Sequence, residues 1–174
     1  MGSEMCIRDR ASGTVPTLVL EHQVLDESFD IMRWALDQSD PEGWLEMPEA
    51  GYILIEETDG PFKKALDRTK YASRYPDANK DDHLRTAQEF LKKLDSMLDK
   101  QHLFADNPRL ADVAIFPFVR QFAFIDKTWF DAQDWPRLHR WLESHLASDL
   151  FLNVMPKYPK WQSGDGKTLF PQTV

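Results

Sequence analysis

The chain has 174 residues, 42% of them hydrophobic and 29% charged, which is the composition of a globular protein with enough chain for one ordinary domain or a small domain beside a larger one. No apolar run approaches the ~20 residues of a membrane-spanning helix, and no secretory leader is visible. The net charge of −8 sits entirely in residues 11–50, where nine acids stand against the single base Arg33. An acidic chain without a basic stripe excludes nucleic acid as the expected partner. The single cysteine, Cys6, excludes an internal disulfide framework and any zinc site built on paired cysteines, and points to a cytoplasmic protein.

Residues 1–10 show neither strand nor helix periodicity and read as a non-native, unstructured scar, Cys6 included. Thr14–Leu20 is β-branched and apolar and reads as a strand, with Pro16 near its start where a missing N–H is tolerated. His22-Gln23 makes a tight turn and Val24-Leu25 a second strand. Asp26 precedes a helix from Glu27 to about Asp37, whose Phe29, Ile31, Met32, Trp34, Ala35 and Leu36 predict burial over much of its surface. Pro41-Glu42-Gly43 ends it.

From Pro48 the pattern is helical. Residues 48–72 form a helical stretch interrupted at Gly60-Pro61. A long helix spans Asp81 to about Lys100, with Leu84, Ala87, Leu91, Leu94 and Leu98 on one face. Leu110–Ile125 is apolar nearly all round, the mark of a helix central to a bundle, and Pro117 predicts a bend in it. Helices over Pro136–His145 and Ser148–Met155 follow, then an extended tail from Pro156. The fold class is therefore α+β: a β-β-α segment over residues 11–45, then an all-α domain over residues 46–174. A segment as short as residues 11–45 cannot bury a core of its own, since domains below about 40 residues need staples or a partner. It reads as the second half of a larger unit.

Several constellations carry no chemistry at this level. His139 and His145 are six apart and share no helix face, and the five histidines are scattered and read as surface or interdomain residues, so no metal site is expected. No phosphate loop and no Ser-His-Asp arrangement is readable. Trp129, Trp135, Trp141 and Trp161 read as core or lid aromatics.

Val15-Pro16-Thr17-Leu18-Val19-Leu20, followed by Leu25-Asp26-Glu27-Ser28-Phe29-Asp30-Ile31-Met32 and later by Leu110-Ala111-Asp112-Val113-Ala114-Ile115-Phe116-Pro117, resembles the cytosolic glutathione transferase family. The first two stretches match the second half of its thioredoxin-like domain and the third the central helix of its helical domain. The linker Pro41-Glu42-Gly43-Trp44-Leu45 resembles the glutaredoxin-like bacterial branch. The resemblance implies glutathione as co-substrate. Val15 would pair its backbone with the cysteinyl backbone of glutathione, next to a cis Pro16. Glu27 and Ser28 would take the γ-glutamyl ammonium and carboxylate at a helix N-terminus, where N–H groups and the dipole favour an anion. The plain alternative for Asp26 or Ser28 is a helix cap.

Asp112 matches the family's capping aspartate, but Arg109 stands where Ser or Thr would complete a reciprocal box, with Asn107 and Pro108 offering a substitute start. The family's activating Tyr, Ser or Cys lies in a preceding β-α-β unit, so no catalytic residue is assigned and the chain reads as N-terminally truncated and without turnover of its own. Tyr52, Glu56, Phe118, Tyr158 and Trp161 would line a co-substrate pocket. The implied function is transfer of glutathione to an electrophile, or thiol–disulfide exchange, by a protein that can form homodimers. The alternative is a non-catalytic protein-interaction module of the same fold.

Overall fold

A computed structural model describes residues 15–71, 80–160 and 162–166. The scar-like residues 1–10, Cys6, Thr14 and Trp161 lie outside them. The described residues fall into two compact units, one of residues 15–41 with 149–160 and 162–166 and one of residues 42–71 with 80–148.

The first unit opens on an antiparallel hairpin. Strand β1 (Leu18–Val19) pairs with β2 (Val24–Leu25) in the register Leu18 opposite Leu25 and Val19 opposite Val24. The turn is closed by the Leu20 N–H donating to Gln23 O at 2.9 Å. Helix α1 follows (Ser28–Gln38), with Glu27 as its N-cap residue and no side-chain capping bond. Neither Asp26 nor Ser28 is therefore the cap expected from sequence. The expected burial of α1 is also corrected: no residue of α1 is buried, Phe29, Ile31, Met32, Trp34 and Leu36 are half-covered, and Ala35 is exposed. A two-stranded hairpin with two residues per strand has too little surface to cover a helix whose apolar side chains spread round its axis.

The second unit is all helical. Helix α2 (Glu49–Glu57) runs into a π-helical turn (Thr58–Phe62) and then α3 (Lys63–Lys70). Gly60-Pro61 therefore widens the helix and does not end it: Pro61 has no N–H to give, and the wider turn takes up the misfit. That turn delivers Phe62, 1% exposed, to the core, where its ring stacks on Phe90 at 4.6 Å and meets Phe122 at 5.9 Å. The buried Thr58 hydroxyl is satisfied by Leu54 O at 2.7 Å.

Helix α4 (Lys80–Met97) carries the predicted stripe, with Ala87, Leu91 and Leu94 buried, Leu84 half-buried and Leu98 buried just past its end. Helix α5 (Leu110–Ala123) is continuous through Pro117 and buries nine of its fourteen residues. Its burial is less complete than the sequence predicts: Pro117 is exposed, and Phe124, just past its end, is 54% exposed. A short helix α6 (Lys127–Asp131), which periodicity over so few residues cannot announce, is capped by Asp126 accepting from the Trp129 N–H at 2.9 Å. Helix α7 (Pro136–Leu146) has Pro136 at its start, and its first amides find an acceptor on another helix: Asp95 Oδ1 of α4 takes the N–H groups of Arg137 and Leu138, each at 2.9 Å. Helix α8 (Asp149–Val154) belongs to the first unit.

Leu94, wholly buried, tests where the core lies. Leu94→Ala should lower the free energy of urea unfolding by ~2–5 kcal/mol, and Leu84→Ala, at a half-exposed position on the same stripe, by clearly less. Equal losses would contradict the assigned face.

Candidate functional site

The four residues the resemblance singles out lie at one end of the hairpin. Val15-Pro16 leads into β1 and Asp26-Glu27-Ser28 leads out of β2, so the antiparallel pairing puts both segments at the open end, opposite the Leu20–Gln23 turn. The Val15-Pro16 peptide is cis. Val15 is 69% exposed, Glu27 is exposed and Ser28 is half-buried at the first position of α1. The first intrahelical bond runs from Ile31 N–H to Glu27 O at 3.1 Å, so the preceding amides stand at the positive end of the helix. Asp30 adds an acid to the first turn. Such an end suits a zwitterion better than a bare anion: a carboxylate can meet the helix amides while an ammonium meets the acids.

Of the expected pocket residues that are described, Phe118 alone lines a cleft. Phe118 lines an open cleft of about 600 Å³ with Lys70, Pro117, Arg120, Gln121, Phe124 and Ile125. Tyr52 and Glu56 on α2 do not line it, and Tyr158 lies in the other unit.

The resemblance also draws attention to the start of α5. Arg109 is the N-cap residue and Leu110 the first helical residue, which corrects the start expected at Asn107-Pro108. The Asp112 carboxylate accepts from the Arg109 N–H at 3.0 Å, one half of a capping box. An arginine side chain has no acceptor, so the Asp112 N–H instead donates to the Arg109 backbone O at 2.9 Å. The guanidinium reaches the linker: Arg109 Nη1 donates to Gly43 O at 2.5 Å and to Glu42 O at 3.4 Å, while the Leu110 N–H donates to Trp44 O at 3.0 Å. Gly43 has φ +66°, a left-handed conformation that favours glycine, and a Cβ there would come within 3.2 Å of Arg109 Nη1.

Sequence spacing missed a buried polar cluster. His102 is 6% exposed, His145 8% and Asp112 0%, which corrects the surface reading of these two histidines. The chain separates them widely, and only the fold brings the loop after α4, the start of α5 and the end of α7 together. The His145 ring packs on Trp141 at 4.8 Å and Phe116 at 5.2 Å, and on the His102 ring at 5.4 Å. Burial pushes the His145 pKa down to about 4 from 6.5, with the Asp112 carboxylate opposing and His102 adding to the shift. His102 is lowered by the same cause, again opposed by Asp112.

Residues 64–144 match the family described as glutathione S-transferase, C-terminal domain. No curated protein sequence matches the chain. Among solved structures, a glutathione S-transferase of Vibrio parahaemolyticus superposes with a TM-score of 0.66 at 18% identity, over 86% of this chain and 76% of that one. One from Rhodospirillum rubrum F11 gives 0.66 at 18% identity, over 91% and 79%. A glutathione transferase family member from Pseudomonas fluorescens pf-5, solved with two glutathione molecules bound, gives 0.65 at 20%, over 81% and 70%.

A histidine whose folded pKa lies below its unfolded value contributes stability above the unfolded pKa and loses it as pH falls toward the folded one. Between pH 6.5 and 4 the urea midpoint of the wild type should therefore fall more steeply than that of His145→Phe, and equal slopes would contradict a buried neutral His145. Residues 64–144 thus carry a glutathione S-transferase C-terminal domain, and the chain shares the fold of the solved glutathione S-transferases.

Proposed function

We propose that the chain binds glutathione at the open end of its hairpin. Val15 offers its backbone to the cysteinyl backbone, Ser28 and the first amides of α1 hold the γ-glutamyl carboxylate, and Glu27 accepts from the ammonium. The observation that carries this reading is the start of α1: Glu27 and Ser28 sit at the positive helix end without spending a side chain on capping it, beside the segment leading into β1. A residue needed as a cap would cost ~1 kcal/mol to replace, whereas these two are left available to a ligand. The glutathione-bound structure of the Pseudomonas fluorescens relative supports the same ligand class.

The biochemical role that follows is that of a glutathione transferase of the glutaredoxin-like bacterial kind, passing glutathione to an electrophile or exchanging thiol for disulfide. None of the residues at the hairpin end is given the task of activating the thiol. Their part is to bind and orient the tripeptide.

Calorimetric titration with glutathione tests the site. A charge-assisted hydrogen bond contributes about 1.5–3 kcal/mol, so Ser28→Ala and Glu27→Gln should each weaken binding roughly tenfold or more without lowering the thermal midpoint of the helical unit. Binding that is unchanged in both variants would move the site elsewhere. No binding by the wild type would favour the non-catalytic interaction module.

A further inference from the structure

We propose that His102, His145 and Asp112 form a binding site for one divalent metal ion of the zinc type, enclosed within the helical unit. One ring nitrogen of each histidine and one carboxylate oxygen lie within 4.8 Å of one another, and all three residues are buried. They are the one such group among the described residues that offers two imidazoles and a carboxylate. His102 Nδ1 and His145 Nε2 have no hydrogen-bond partner. Buried ring nitrogens left unsatisfied are costly, at about 1–3 kcal/mol each, and native structures supply such groups with a protein atom, a water or an ion. Here the protein supplies none.

The spacing suits a metal better than a hydrogen bond. His102 Nδ1 stands 3.8 Å from Asp112 Oδ1, too far for a hydrogen bond. Two ligands bonded to one tetrahedral zinc at ~2.0–2.1 Å lie roughly 3.4 Å apart, so the ligand atoms, which lie within 4.8 Å of one another, draw inward when a metal binds. His102 lies outside any helix and can make that movement, whereas His145 is in the last turn of α7 and Asp112 in the first turn of α5.

Asp112 is already oriented by its neighbours. Its Oδ1 accepts from Leu103 N–H at 3.0 Å and from Trp141 Nε1 at 2.8 Å, and its Oδ2 accepts from Arg109 N–H. Both lone pairs of Oδ1 are engaged by these donors, whereas Oδ2 has a single donor and keeps a lone pair for a metal. In its neutral form each imidazole offers a ring-nitrogen lone pair to a metal. Two imidazoles and one carboxylate suit zinc, cobalt or nickel, while calcium and magnesium require a shell of oxygens.

The full chain, stripped with chelator, is titrated with Co²⁺ and followed by visible absorption, then challenged with Zn²⁺. The expected result is saturation at one Co²⁺ per chain with a four-coordinate spectrum, displaced by Zn²⁺. Affinity should fall roughly tenfold or more in His102→Gln and His145→Gln and stay unchanged in His22→Gln and His139→Gln. Should a buried variant fail to fold, nitrogen-15 spectra of wild-type histidine rings decide. Zn²⁺ must then shift His102 and His145 and leave His22, His83 and His139 in place. Absence of a saturable spectrum, shifts confined to the other histidines, or a crystal grown in excess Zn²⁺ with only water between the two rings would overturn the proposal.

Discussion

A carboxylate with no exposed surface has to be met by donors on all sides, because an unpaired buried charge costs several kcal/mol. Asp112 meets that condition with three N–H groups from three places in the chain: Arg109 just ahead of its own helix, Leu103 in the preceding loop and the indole of Trp141 on α7. The loop after α4, the start of α5 and the middle of α7 are thereby held to one point. The rest of the helical unit is arranged round it. Phe116 and Trp141 pack against His145 beside the carboxylate, and Arg109, which caps α5, carries the linker carbonyls of Glu42 and Gly43 on its guanidinium. One side chain therefore fixes the opening of the central helix and, through its neighbour, the path by which the chain enters the unit.

The apolar patterns were legible because periodicity is a local property. Ala87, Leu91 and Leu94 on α4 and Leu98 just past its end are buried as their spacing predicts, and Leu110, Ile115, Val119 and Phe122 are buried on α5. What depends on two distant stretches was not legible. The cap of α7 is Asp95, more than forty residues upstream on another helix, so no capping motif precedes Pro136. His102 and His145 meet only once the fold is made. Gly60-Pro61 signals a break, yet neighbouring contacts of Phe62 hold the chain helical through it as a wider turn. Helix α1 shows the reverse case: its sequence is apolar enough to be buried, and a hairpin of four strand residues cannot bury it.

Of the proposed ligand site, what the sequence carries is the order of the segments that would form it. Motif order groups Val15, Pro16, Glu27 and Ser28, and the antiparallel register gives the physical reason: residues just before β1 and just after β2 share one end of the hairpin. Capping was the plain reading of the same residues, and the absence of a side-chain cap at α1 leaves their polar groups to another use. The acidic stretch behaves as a solvated surface, with Glu21, Glu27, Asp30, Asp37, Glu42, Glu46 and Glu49 all exposed.

The account rests on glutathione engaging this hairpin end, and amide shift mapping reads that residue by residue. Addition of glutathione to isotopically labelled protein should move the backbone resonances of Val15 and of Asp26 through Phe29, while those of Leu91, Leu94 and Ile115 in the helical core stay fixed. Shifts confined to residues 42–148, or none at millimolar glutathione, would contradict it.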